Sequence, residues 1–117
     1  MSLQPVPIQN VPGVPDYTCT AFLPKSSDYC LLIPVINEGS RILTELGRAQ
    51  KAGVDRLVDI VICDGGSTDG SMNPDTLELY GVNTLLVKTG PGKQGAQLRM
   101  GLHFALTFGY KGCLLYT

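Results

Sequence analysis

The segment Asp64-Gly65-Gly66-Ser67-Thr68-Asp69-Gly70-Ser71 combines two carboxylates and three hydroxyls with turn-forming glycines. It directly follows the apolar run 57–63, which is typical of a buried strand. Ligands of open α/β sheets bind at the carboxyl ends of the strands, and glycine lets the backbone come close to them. An ionised Asp64 would accept hydrogen bonds from ring N–H groups. Alternatively, Asp64 and Asp69 are turn residues that bond to nearby backbone.

A second polar segment follows an earlier apolar run. The run 30–36 ends in Asn37 and Glu38, before Gly39 and Ser40. These side chains would lie at the same sheet edge as Asp64 if both runs are parallel strands. The alternative is that Asn37 and Glu38 cap a helix and complement its dipole.

The pairing of P-V-I-N-E at 34–38 with C-D-G-G-S-T-D-G-S at 63–71 resembles the start of the family 2 glycosyltransferases. Their GT-A fold opens with a nucleotide-binding βαβ half. The resemblance continues through the glycine-marked segment 93–102 and covers Cys30 to about Tyr116. It implies a nucleoside-diphosphate sugar of the UDP or GDP type as donor substrate, with the sugar transferred to an acceptor by the full-length protein.

The same resemblance implies donor-site residues in all three segments. Asp64 matches the first Asp of the family's D-D-G-S or D-G-G-S turn, which contacts the base, and Glu38 would lie near the ribose. The implied set of nucleotide-sugar-binding residues is Pro34, Val35, Ile36, Glu38, Asp64, Gly65, Lys93 and Arg99.

The third segment departs from the family pattern. Gln94 stands where the family often has Lys or Arg before the glycine, and Lys93 comes one place earlier. Arg99 occupies a position that is often Asn. Either cation would meet phosphate charge or the nucleobase, and both would equally suit a solvated helix surface.

In the resembled family, a strand like 112–116 runs directly into a D-x-D motif that holds a divalent metal. This chain stops at Thr117. We therefore expect this chain to be only the N-terminal nucleotide-binding part of such an enzyme, with no catalytic or metal-binding residue. The chain alone should be inactive, and only a full-length enzyme would use Mg²⁺ or Mn²⁺. The alternative is a non-catalytic nucleotide-binding or self-associating α/β module, which forms homo-oligomers through apolar surface exposed by truncation.

Two other motifs compete with this interpretation. The run 90–95 matches the dinucleotide pattern G-x-G-x-x-G, but the acidic residue expected about 20 residues later is absent. A sugar nucleotidyltransferase would need a G-x-G-T-R-like loop after the first strand, and 34–38 differs from it.

The composition favours one globular domain of 117 residues with a net charge of -1. No basic run predicts a nucleic-acid partner, and no apolar run reaches the roughly 18 residues of a membrane helix. With no signal-peptide pattern at its start, the chain is predicted to be cytoplasmic, and membrane association of a full-length form stays open. The four cysteines lack metal-site spacing and are predicted to be reduced.

Two regions are predicted. Residues 1–28 hold five of the eight prolines and form a Pro-rich extended N-terminal arm, which packs on the domain, packs on a second copy or stays loose. Residues 29–117 are the nucleotide-sugar-binding half of a GT-A-like domain. Strands are predicted at 30–36, 57–63, about 84–87 and 112–116, and helices at about 40–52, from 73–74 to Gly81, and at about 94–108. This alternation predicts an α/β fold, GT-A- or Rossmann-like, with a mostly parallel sheet and flanking helices, truncated after about four strands.

Overall fold

The computed structural model describes residues 2–6, 13–92 and 94–116. Within them, the chain forms an α/β domain with one mixed sheet. Its elements are β1 (Ser2–Val6), β2 (Tyr17–Ala21), β3 (Tyr29–Val35), α1 (Arg41–Lys51), α2 (Val54–Leu57), β4 (Asp59–Asp64), α3 (Pro74–Leu79), β5 (Val82–Lys88), α4 (Gln94–Thr107) and β6 (Gly112–Leu115).

The six described strands lie in the order β1-β2-β5-β4-β3-β6. The neighbouring strands from β5 to β6 pair in parallel, whereas β2 pairs antiparallel with both β5 and β1. The α/β class with flanking helices is confirmed. The predicted parallel part is present, but the sheet is mixed and has two strands more than the predicted four.

The additional strands come from the proline-rich region. In β2, Tyr17, Thr18, Cys19 and Thr20 are residue types that favour strands, and Tyr17 and Cys19 are buried in the core. Pro5 lies in β1 at the edge of the sheet, and edge strands are among the few places in sheets where proline is found. The high proline content of residues 1–28 obscured this strand pattern.

Each face of the sheet carries its own apolar core. On one face, Met100 and Phe104 of α4 pack against buried strand residues such as Leu32 and Val61. On the opposite face, Ile42 and Leu46 of α1 and Leu77 of α3 pack against Ile33, Ile60, Ile62 and Leu85. Strand β4 is buried along its whole length because helices cover it on both sides.

Local sequence signals place most boundaries of these elements. Asn73 caps α3, since its Oδ1 accepts hydrogen bonds from the backbone N–H groups of Asp75 and Thr76. Gly53 has a φ of 80°, which suits glycine directly after the end of α1. The predicted strand start at Leu57 is wrong, because Leu57 closes the short helix α2 and β4 begins at Asp59.

A buried carboxylate ties the start of β4 to two loops. Asp59 accepts hydrogen bonds from the Ser26 hydroxyl at 2.6 Å, the Tyr110 hydroxyl at 2.7 Å, and the N–H groups of Ser26 and Ser27 at 2.9 and 3.3 Å. Burial by itself raises the pKa of Asp59, but these hydrogen bonds outweigh it and lower the pKa below its usual value. Asp59 therefore holds the segment before β3 and the turn before β6 on the sheet.

Candidate functional site

The sheet has a topological switch point at β3. Strands β4 and β5 lie on one side of β3 and β6 lies on the other, and the α1 and α4 connections cover opposite faces. Ligands of open α/β sheets bind in the crevice beyond the carboxyl ends of the strands at such a point. The residues that follow β3, β4 and β5 are therefore the candidates for ligand binding.

A crevice of about 410 Å³ opens at this edge of the sheet. We call it the strand-end crevice. Its volume falls within the range of about 300–1,000 Å³ that is usual for small-molecule sites. The residues that line it are Pro34, Val35, Ile36, Glu38, Gly65, Lys88, Gly92 and Gln97.

Five residues implied by the family resemblance meet in this crevice: Pro34, Val35, Ile36, Glu38 and Gly65. Pro34 and Val35 end β3, Ile36 and Glu38 follow it, and Gly65 follows β4 about 30 residues later in the sequence. The structure thus brings most of the first motif segment and Gly65 of the second to one cavity.

Asp64 lies at the end of β4 and is only 2% exposed. Its Oδ1 accepts hydrogen bonds from the Ser67 hydroxyl at 2.6 Å and from the Ser67 N–H at 3.0 Å, and its Oδ2 accepts the same N–H at 3.2 Å. These contacts are those of a turn residue, the alternative weighed for this position. Asp64 is not among the residues that line the strand-end crevice.

Hydrogen bonds join the loop after β3 to the loop after β4. The Asn37 N–H donates to the Ser67 hydroxyl at 2.9 Å, and Asn37 Oδ1 accepts from the Thr68 N–H at 2.8 Å. The Gly39 N–H donates to Asp69 Oδ2 at 3.1 Å. Asn37 has a φ of 45°, a left-handed conformation that asparagine tolerates better than most residues. Through these hydrogen bonds, Asn37 and Asp69 hold the two loops together. The alternative that Asn37 caps a helix is not observed.

The pKa of Asp69 is also lowered. The Ser71 hydroxyl and the Ser71 N–H, and to a lesser degree the Gly39 N–H, donate hydrogen bonds that favour the ionised carboxylate. An ionised Asp69 therefore keeps its hydrogen bond from the Gly39 N–H at neutral pH.

Glu38 carries the only acidic side chain among the residues that line the crevice in the described part of the chain. Its Oε2 lies 3.6 Å from Nε of Arg41, one turn along the chain. This ion pair is solvent-exposed on the arginine side, so it contributes little to stability. Glu38 therefore has acceptor capacity left for hydroxyl groups of a ligand.

Of the two cations implied by the resemblance, Arg99 is not among the residues that line the crevice. Arg99 is exposed, and its Nε donates to the carbonyl oxygen of Gly13, which leads into β2. Lys93 lies outside the described residues. Instead, Lys88 at the end of β5 lines the crevice, and its Nζ donates to the Gly90 carbonyl oxygen at 2.8 Å.

Gln97 is a second lining residue that the sequence reasoning missed. It is 4% exposed, and its Nε2 donates to the carbonyl oxygens of Val35 at 2.8 Å and Cys63 at 2.9 Å. The signal that could have found it is its position one turn into a helix that begins at the sheet's ligand edge.

All four cysteines are free, as predicted. Burial raises the pKa of Cys63 to about 12 and that of Cys19 to about 11, so both remain protonated thiols at neutral pH. Among residues 2–6, 13–92 and 94–116, no three His, Cys, Asp or Glu side chains group as metal ligands. No helix in this same part of the chain is long and apolar enough to cross a bilayer.

The chain was also compared with known proteins. No family model, no curated protein and no solved structure matches it.

Proposed function

We propose that this chain binds a nucleoside-diphosphate sugar in the strand-end crevice, as the nucleotide-binding part of a family 2-like glycosyltransferase. The observation that carries the proposal is that residues of the segment 34–38 and Gly65 of the segment 64–71 line one crevice beside the switch point of the sheet. Hydrogen bonds between the two loops hold this arrangement before a ligand arrives. A preorganised site of this kind lowers the entropic cost of binding.

The base would lie against the segment from Pro34 to Ile36. Ile36 is 53% exposed although it is apolar, so a base ring packing on it would remove apolar surface from water. Glu38, at the rim next to this segment, suits the ribose hydroxyls because a carboxylate accepts two or more hydrogen bonds.

The diphosphate would lie toward Lys88. In the described residues this is the only cationic side chain that lines the crevice. An ammonium group acts as a point charge toward phosphate and does not need the planar geometry of arginine. In this proposal Lys88 takes the part for which the sequence suggested Lys93 or Arg99.

Calorimetric titration tests the proposal. UDP and GDP should bind the wild-type chain with measurable heat, and Lys88→Gln should weaken UDP binding by about fivefold or more while leaving the weaker binding of uridine unchanged. Lys51→Gln is the control, because Lys51 is an exposed lysine at the far end of α1, away from the ligand edge.

Two outcomes would contradict the proposal. One is the absence of binding by every nucleoside diphosphate at millimolar concentration. The other is an equal loss of UDP and uridine affinity in Lys88→Gln, which would place Lys88 away from the phosphates.

A self-associating module is the second candidate, and strand β6 favours it. This strand lies at the edge of the sheet, and Leu114 and Leu115 are 56% and 49% exposed. Leu106 on the nearby helix α4 is 80% exposed. An open edge with apolar side chains invites strand pairing with another chain. The same titration separates the two candidates, because self-association alone gives no nucleotide-dependent heat.

A further inference from the structure

Gln97 holds its side-chain amide in a fixed orientation at the ligand edge of the sheet. Both hydrogen atoms of Nε2 are used, one by the Val35 carbonyl oxygen at 2.8 Å and one by the Cys63 carbonyl oxygen at 2.9 Å. Only a nitrogen donor can make these two contacts, so the positions of Nε2 and Oε1 within the amide are settled. The oxygen is therefore the atom that Gln97 has left for another partner.

No donor among the described residues reaches Gln97 Oε1. The residue is 4% exposed and lines the strand-end crevice. An oriented acceptor at a cavity wall, to which no described residue donates a hydrogen bond, is suited to receive a donor from a ligand.

Gly65 keeps the amide of Gln97 in place from the other side. A Cβ atom at position 65 would stand 2.9 Å from Cδ and 3.1 Å from Oε1 of Gln97. The backbone after β4 therefore packs flat against the amide, and a side chain there would displace it. Two carbonyl contacts and this close packing together leave the acceptor little freedom to rotate.

We propose that Gln97 selects the base of the bound nucleotide by accepting a hydrogen bond from a ring N–H. This inference rests on the proposed function. Uracil carries a hydrogen on ring nitrogen N3 and guanine on N1, whereas the corresponding nitrogens of cytosine and adenine are acceptors. An acceptor that cannot rotate repels those lone pairs and cannot offer its own donor, because Nε2 is occupied. The site is thus specific for uridine or guanosine diphosphates.

The test uses UDP, CDP and a UDP that is methylated at ring nitrogen N3. Methylation removes the donor and leaves the ribose and diphosphate unchanged. In calorimetry with the wild-type chain, we expect CDP and methylated UDP to bind about tenfold or more weakly than UDP. Equal affinity for the three ligands would overturn the role of Gln97 while leaving nucleotide binding itself intact. Failure of all three to bind would overturn both the inference and the proposed function.

Variants then assign the selectivity to one side chain. Gln97→Met has a similar volume and no acceptor amide, so it should bind UDP and methylated UDP with nearly equal affinity. Gly65→Ala should reduce the same preference by displacing the amide. Gln50→Met is the matched control, since Gln50 donates to the Leu79 carbonyl oxygen on the α1 side and should keep the wild-type preference.

Circular dichroism and thermal melting establish that each variant is folded. If Gln97→Met does not fold, the comparison of UDP with methylated UDP on the wild type and on Gly65→Ala still decides the outcome. A preference for UDP that survives in a folded Gln97→Met would show that another group reads the ring N–H, with Asp64 the next residue to test.

Discussion

Asn37 should determine both the stability of the two ligand-edge loops and the affinity of the crevice. Its side-chain oxygen accepts the Thr68 N–H at 2.8 Å, and its backbone has a φ of 45°. The substitution Asn37→Ala removes the acceptor and places a residue with a Cβ and no local polar group in the left-handed region. Asn37→Gly removes the acceptor but adopts this conformation without strain. Asn37→Asp retains an acceptor and tolerates the same backbone.

The sizes of the two effects differ enough to be separated. Loss of the hydrogen bond to Thr68 should cost about 0.5–1 kcal/mol, since the contact is exposed and net hydrogen-bond contributions are modest. The left-handed backbone should cost alanine about 1 kcal/mol more than asparagine. We therefore expect losses in the free energy of unfolding of about 1.5–2 kcal/mol for Ala, about 0.5–1 kcal/mol for Gly and the least for Asp.

Urea denaturation of the three variants, monitored by circular dichroism, measures these differences if the m-value stays constant. The Asp variant should be measured at about 0.1 M and 1 M salt, because its added charge lies near Asp69 and salt screens that repulsion. Equal losses for Ala and Gly would refute the conformational argument. A loss for Asp as large as that for Gly, at high salt, would refute the role of the side-chain acceptor. UDP affinity should fall in the same order as stability, since the loops form the crevice.

Two further predictions concern the framework of the domain. Asp59→Asn should lower the free energy of unfolding at pH 7 by about 2–4 kcal/mol, because it disturbs four hydrogen bonds to a buried carboxylate. The pKa of Asp59 is lower in the folded than in the unfolded state, so its stabilisation is complete above about 3.8 and is lost as the pH falls further through the folded-state pKa. Urea midpoints from pH 7 to pH 2 should thus converge for wild type and variant, and a constant gap would contradict this linkage. Gly101→Ala should destabilise the folded chain by about 1–3 kcal/mol, because its Cβ would stand 2.7 Å from Cys63 Sγ in the core. By contrast, the Cβ of Gly47→Ala on α1 would meet nothing closer than 3.6 Å, so this substitution should stabilise the folded chain by about 0.5–1 kcal/mol. Thermal melting measures both effects. A change in melting temperature of the same sign in the two variants would contradict the packing argument.

Apart from the short helix α2, the strand and helix pattern after residue 29 could be predicted because its signals are local. Apolar runs of strand length, the Asn73 cap and the glycine after α1 each act within a few residues of themselves. Strand β2 was missed because its partner, β5, lies more than 60 residues further along the chain. Pairing at that distance leaves no signal in the sequence beyond four strand-favouring residues, Tyr17 to Thr20, between two prolines.

The lining residues Lys88 and Gln97 were missed for a related reason. A lysine at the end of an apolar strand and a glutamine in a glycine-rich helix are ordinary solvated residues by pattern. Gln97 becomes buried only because α4 crosses the ends of β3 and β4, so that its amide reaches carbonyl oxygens 62 and 34 residues away. Tertiary packing of this kind is not encoded in the spacing of α4 itself.

The polar motif residues and the residues that line the crevice have different roles at this edge of the sheet. Asp64, Asn37 and Asp69 direct their hydrogen bonds to backbone and hydroxyl groups of the two loops. Substitutions at these positions should therefore lower stability and affinity together, because loop order and crevice shape are one property. Gln97 Oε1 accepts no hydrogen bond from the described part of the chain, so loss of this acceptor should change the choice of base without a matching change in loop order. Within the two motif segments, Asn37, Asp64 and Asp69 thus hold the loops in place, whereas Pro34 to Ile36, Glu38 and Gly65 line the crevice.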